Sequence, residues 1–126
     1  VTALAVLLTA VSATAQPVAD AARAADWDRV RSLVAQRADV TAEQGDGATA
    51  LHWAGYWDAA AVASLLLDAG ADASAANDLG ATPLWTAAEN GSAAMTDLLL
   101  AARADPTAAL LSGETVLMTA ARTGNV

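Results

Sequence analysis

Glycines at 47, 80 and 113 stand 33 residues apart. Three further columns keep that spacing: Thr49, Thr82 and Thr115; Leu51, Leu84 and Leu117; Ala54, Ala87 and Ala120. SLLLDAGAD (64–72) aligns with DLLLAARAD (97–105) at the same offset. A period of this length describes a chain made of one supersecondary unit copied along it. Such a unit cannot bury its own apolar face, so neighbouring copies must stack.

The second copy shows how one unit is punctuated. Gly80 supplies a residue that tolerates positive φ, as a tight turn needs. Thr82 is suited to cap a helix, and Pro83 sits at the first helical position, where its missing N–H costs nothing. The pattern predicts a short helix from about Leu84 to Asn90, ended by Gly91. A second helix is predicted from about Ala94 to Ala102, with Met95, Leu98, Leu99 and Leu100 inward. RAD (103–105) then leads by an extended loop to the next turn. Each unit is a turn plus two antiparallel helices.

GATPLWTAAENGSAAMTDLLLAARADPTA (80–108) and GATALHWAGYWDAAAVASLLLDAGADASA (47–75) closely resemble the ankyrin repeat. GETVLMTAARTGNV (113–126) is similar to the first half of a third copy. AARAADWDRVRSLVAQRADV (21–40) fits the same register, with Leu33 and Val34 in the slots of Leu99 and Leu100 and no clear front turn, as in an amino-terminal capping repeat. The resemblance covers everything after Pro17. It implies an all-α solenoid of stacked helix-turn-helix units joined by short β-turn or hairpin loops, with the capping repeat at 16–44, repeats at 45–77 and 78–110, and a partial repeat at 111–126. Some slots depart from the pattern. Ala50 and Val116 replace the proline, Arg37 and Arg103 stand where Gly70 stands, and Asp58 stands where Gly91 does. A non-glycine residue in a left-handed backbone costs about 1 kcal/mol, so moderate stability is expected. The chain stops where a second helix is due, which points to a fragment of a longer array.

The front segment, VTALAVLLTAVSATA, is uncharged and nearly all apolar, and it ends in a small-x-small pattern before Gln16-Pro17. It reads as the remnant of a secretory signal peptide at 1–15, and it is short for a membrane span. The alternative is a helix buried in the domain. Cleavage would leave a periplasmic or secreted protein without a membrane attachment. The lysine-free, arginine- and alanine-rich composition hints at a bacterial source, where the sequon at Asn90-Gly91-Ser92 would stay unmodified.

Bulk chemistry removes several function classes. The net charge is −8, so phosphate backbones repel the chain and nucleic acid is not an expected partner. There is no cysteine, hence no disulfide, thiolate zinc site or cysteine nucleophile. One histidine cannot make a multi-histidine metal site. Gly45-Asp46-Gly47 is a turn, since no GK[ST] follows to make a phosphate loop. Asp26 and Asp28 flank Trp27 and favour the start of a helix through its dipole rather than acting as a catalytic pair. No catalytic residue, cofactor, metal or small-molecule substrate is expected.

The stretch GATALHWAGYW (47–57) gathers the single histidine, the single tyrosine and two of the four tryptophans. His52 falls in the histidine slot of the family's T-P-L-H motif. The resemblance implies that its imidazole bonds near the threonine and the neighbouring turn. Trp85 and Met118 share its slot, and no nucleophile pairs with it. Trp53 is either packed in the groove between repeats or in contact with a ligand on the concave face. Tyr56 and Trp57 fall where the family carries variable, exposed residues, and their equivalents Glu89, Asn90 and Arg122 are polar. Tyrosine and tryptophan often anchor interfaces. Alternatively, the two rings fold over the capping repeat near Trp27. Turn tips complete the family's binding surface: Asp46 and Ala48, Leu79 and Ala81, and Glu114, with Leu111 also at a tip.

These residues support a non-catalytic scaffold that binds a protein partner through its concave face and turn tips. The alternatives are a non-catalytic part of a larger enzyme whose chemistry lies in a missing carboxyl-terminal region, and a structural spacer.

Overall fold

The computed structural model describes residues 16–124. The proposed signal segment 1–15 therefore lies outside the described residues. Seven helices follow in order: α1 (Pro17–Arg23), α2 (Trp27–Ala35), α3 (Ala50–Tyr56), α4 (Ala60–Asp68), α5 (Pro83–Asn90), α6 (Ala93–Ala101) and α7 (Val116–Thr123). They form two layers. The first helices of successive units, α1, α3, α5 and α7, pack side by side, and the second helices, α2, α4 and α6, pack behind them. α1, α3 and α5 also each contact the second helix of their own unit. The all-helical solenoid expected from the period is the observed architecture. Among the described residues the only β pairing is a single antiparallel bridge between Ala109 and Thr115.

The columns explain the layers. Leu51, Leu84, Leu66 and Leu99 are fully buried, as are Ala54 and Ala87. Alanine in those slots lets adjacent first helices approach closely, which suits a core without phenylalanine. Thr49, Thr82 and Thr115 each precede a first helix in extended backbone, and Thr82 and Thr115 accept from the N–H groups of Trp85 and Met118. Asp26 caps α2 through Arg29 N–H, and Asp28 pairs with Arg31 at 3.5 Å in the first turns. One packing expectation is corrected. Met95 and Leu99 are buried, but Leu100 is exposed. A helix turns about 100° per residue, so three consecutive leucines cannot all face one side.

Helix ends repeat as well. Ala25, Asp58, Gly91 and Gly124 follow the first helices at 33-residue spacing, with φ of 56°, 57°, 68° and 80°. Arg37, Gly70 and Arg103 follow the second helices with φ of 61°, 101° and 68°. The non-glycine residues in these two columns adopt the left-handed backbone that their slots predict.

The loops between units form projecting fingers. Gln44 N–H donates to the Ala48 carbonyl, Asn77 N–H to Ala81, and Leu110 N–H to Glu114. Adjacent fingers are also tied: Asp78 N–H donates to the Asp46 carbonyl at 2.9 Å, and Leu111 N–H to the Leu79 carbonyl at 2.9 Å. Gly80 sits against the next finger, where an added Cβ would lie 3.0 Å from the Ala109 carbonyl oxygen and from Leu111 N.

Candidate functional site

The fingers and the inner helix layer enclose a groove. A cavity of about 160 Å³ opens there, walled by Trp53, Tyr56 and Trp85 and edged by Asp46 and Thr86. His52 forms its floor. The His52 imidazole is buried, and both ring nitrogens are engaged. Nδ1 accepts the Thr49 backbone N–H at 3.0 Å, so the proton sits on Nε2, which donates to the Ala81 carbonyl of the next finger at 2.8 Å. His52 thus closes a capping box in its own repeat and ties that repeat to the following one. Burial lowers its pKa from the ordinary histidine value, and the Ala81 hydrogen bond and the Asp46 charge only partly oppose that shift. A buried imidazole with both nitrogens committed is not placed to act as a base. In the same slot of the next repeat, the Trp85 indole N–H is buried without a partner among the described residues.

Trp53 lies between the packed and the exposed residues. Its indole N–H donates to Gln44 Oε1 at 2.8 Å, and Gln44 Nε2 donates in turn to Asp20 Oδ1 at 2.8 Å. The Arg23 guanidinium stands over its ring, 5.8 Å from the centroid. Tyr56 meets Trp53 edge to face at 5.5 Å and Trp57 at 4.9 Å. The stretch therefore folds into a continuous aromatic ladder. Its inner end is held by hydrogen bonds, and its outer members, Tyr56 and Trp57, are 54% and 48% exposed.

The predicted contact residues separate into four groups. Tyr56 and Asp46 line the groove, and Leu79 is exposed at a finger tip beside Leu111. Trp57 is exposed, but its indole N–H donates to the Arg23 carbonyl at 3.3 Å, so the ring lies over the end of α1 rather than on Trp27. Glu89, Glu114, Arg122 and Asn90 are spent on ties within the array. Arg122 pairs with Glu89 at 2.8 Å and with Glu114 at 3.2 Å. The Thr119 hydroxyl and the Arg122 guanidinium, both bonded to Glu114, hold its carboxyl below the usual range. Asn90 Nδ2 donates to the carbonyls of Gly55 at 2.8 Å and Tyr56 at 2.9 Å. Ala48 and Ala81 are buried rather than exposed at the tips, and both lie in the lining of the groove. What Ala81 contributes is its carbonyl, to His52.

Residues that sequence reasoning missed at this groove are Arg23, Asn77 and Thr86. Asn77 Oδ1 accepts the N–H groups of Leu79 and Ala81, both at 3.0 Å, and shapes the finger tip. Its place just before the turn was a readable signal, since asparagine often closes such a turn with its side chain. Arg23 carried none, because its contact is with another repeat.

Among the described residues no helix is long and apolar enough to cross a membrane, and no group of three or more metal-capable side chains converges. No curated protein matches the chain. A family model described as ankyrin repeats in three copies matches residues 18–109. That match runs from within the capping unit through the repeat at 45–77 to nearly the end of the repeat at 78–110, and the 33-residue columns and two-layer stack agree with it; the chain belongs to the ankyrin-repeat family.

Proposed function

We propose that this chain is a protein-binding scaffold whose contact surface is the groove at Trp53 and Tyr56 together with the finger tips at Leu79 and Leu111. Ankyrin repeats are generally protein–protein interaction modules, and the exposed Tyr56 ring on the rim of the groove is the observation that carries the reading for this chain. Its backbone is fixed by α3, and its ring is buttressed by two others, so little freedom is lost when a partner covers it. Leu79 and Leu111 extend the surface. They are 69% and 78% exposed and are held side by side by a backbone hydrogen bond. We further propose that the scaffold works in the periplasm of a bacterium or after secretion, on the strength of the apolar segment 1–15 and its small-x-small end.

A photo-crosslinking amino acid placed at Tyr56 or Leu79 of the complete protein should give a discrete adduct in the source organism. The same probe at Asp68, exposed on α4 of the outer layer, should not. Equal adducts at all three positions, or none at Tyr56 and Leu79, would remove this reading. Fractionation of the same cells, with the adduct found in the cytoplasm, would remove the proposed location alone.

A further inference from the structure

We infer that the groove beside Tyr56 takes a basic side chain, arginine or lysine, from the partner. This deepens the protein-binding reading and rests on it. The walls are the aromatic faces and edges of Trp53, Tyr56 and Trp85, and the one carboxylate in the lining is Asp46. Several of the other polar groups there are occupied within the chain, while the Trp85 indole N–H has no partner among the described residues. Both nitrogens of His52 are bonded, Asn77 Oδ1 holds two backbone N–H groups, and the Thr86 hydroxyl donates to the Thr82 carbonyl. Asp46 differs: Oδ1 accepts from Ala48 N–H, but the carboxylate has no ion-pair partner among the described residues. A carboxylate beside π faces, with no cation in the lining, attracts a cation and repels an anion.

The surroundings carry the same sign. Asp78 lies on the adjoining finger, hydrogen-bonded through its N–H to the Asp46 carbonyl. Asp20 is bridged to Trp53 through Gln44. Glu43, like Asp46, acts by its charge on His52. Against these four acids stands Arg23, whose guanidinium already lies over the Trp53 ring. The ladder thus holds one guanidinium from within the chain. A net charge of −8 draws basic partners towards the surface from a distance.

The test titrates the complete chain with three capped peptides that share the frame Gly-Ser-X-Ser-Gly, where X is arginine, citrulline or glutamate. The readout is the indole N–H signals of Trp53 and Trp85, with Trp27, on α2, as internal control. The arginine peptide should move Trp53 and Trp85 but not Trp27, and should bind about tenfold more tightly than its neutral isostere. Asp46→Asn keeps the backbone bond to Ala48 and should erase that preference. Tyr56→Ala should weaken the arginine peptide with Trp27 unmoved. Equal binding of citrulline and arginine, preference for glutamate, or no shift at either tryptophan would overturn the inference. Crosslinking separates the two readings: adducts at Tyr56 that survive Asp46→Asn unchanged leave the scaffold standing and defeat the basic-side-chain assignment.

Discussion

Trp57 and Asn90 occupy the same slot, 33 residues apart, and do the same work with different chemistry. The Trp57 indole N–H donates to the Arg23 carbonyl, and the Asn90 amide donates to the Tyr56 carbonyl, itself 33 residues after Arg23. Each covers the carbonyl end of the first helix in the preceding unit, where the last turn lacks intrahelical partners. A residue placed for recognition on exposure alone thus has a structural duty. Asn90→Ala, which strips both bonds, should lower stability by about 1–2 kcal/mol. Trp57→Ala should cost about 1 kcal/mol, and Trp57→Asn should recover part of that by copying its neighbour. Urea midpoints of the three variants would show it, and equal stability of Trp57→Ala and wild type would refute the capping role.

His52 makes stability depend on pH in a defined window. Burial holds its folded pKa below the ordinary value of 6.5. Below that value the unfolded chain takes up a proton that the folded chain resists. A protonated Nδ1 would also confront the Thr49 N–H that it now accepts. Stability is therefore full above about pH 6.5, falls as pH drops towards the folded pKa, and levels off beneath it. Asp39, Asp105 and Glu114 are also depressed, by hydrogen bonds from Thr41, Thr107 and Thr119 first, but their losses begin only as pH falls through their ordinary values of 3.8 to 4.5. Denaturant midpoints between about pH 7.5 and 5.5 should fall for the wild type and stay flat for His52→Gln. A parallel fall in both would place the titration elsewhere.

The leucine run in α6 offers a packing test. Leu99→Ala, like Leu66→Ala in α4, removes a fully buried side chain between the layers and should cost about 2–5 kcal/mol. Leu100→Ala, one residue on, removes a side chain that is 43% exposed and should cost about 1 kcal/mol or less. Thermal unfolding would rank them, and similar losses at 99 and 100 would mean that the buried face of α6 has been assigned wrongly.

Two finger glycines separate backbone conformation from close approach. Gly80 and Gly113 both have positive φ, 83° and 92°, but only Gly80 has neighbours within 4 Å of where a Cβ would stand. Gly113→Ala should cost about 1 kcal/mol, the conformational term alone. Gly80→Ala should cost more, because backbone of the next finger must move. Identical losses would show that the fingers are looser than the 3.0 Å approach implies.

Much of this was legible from spacing. The columns at Gly47, Thr49, Leu51 and Ala54 locate the turn, the cap and the buried face of α3, because each depends on residue type at a local position. The left-handed backbone at Arg37, Asp58 and Arg103 follows from the glycines in matching slots. Partnership across units was not legible. Glu89, Asn90 and Arg122 looked like free polar contacts, yet each bonds to a residue about one unit away. A period says which positions are equivalent; it does not say which side chains reach across. The groove was half legible for the same reason. Tyr56 and Asp46 could be placed on it, but the stacking of Arg23 on Trp53 could not.

The finger-to-finger hydrogen bonds carry a consequence for how such a chain can change. Asp78 answers Asp46, and Leu111 answers Leu79, with the same offset each time. Each finger is thereby a template for the next. An insertion of one residue between Asp46 and Asp78 would misalign two fingers at once, whereas a whole unit copied in place would present the same donors to the same acceptors. Heredity acting on this molecule is thus permitted to count in units of 33 and discouraged from counting in ones.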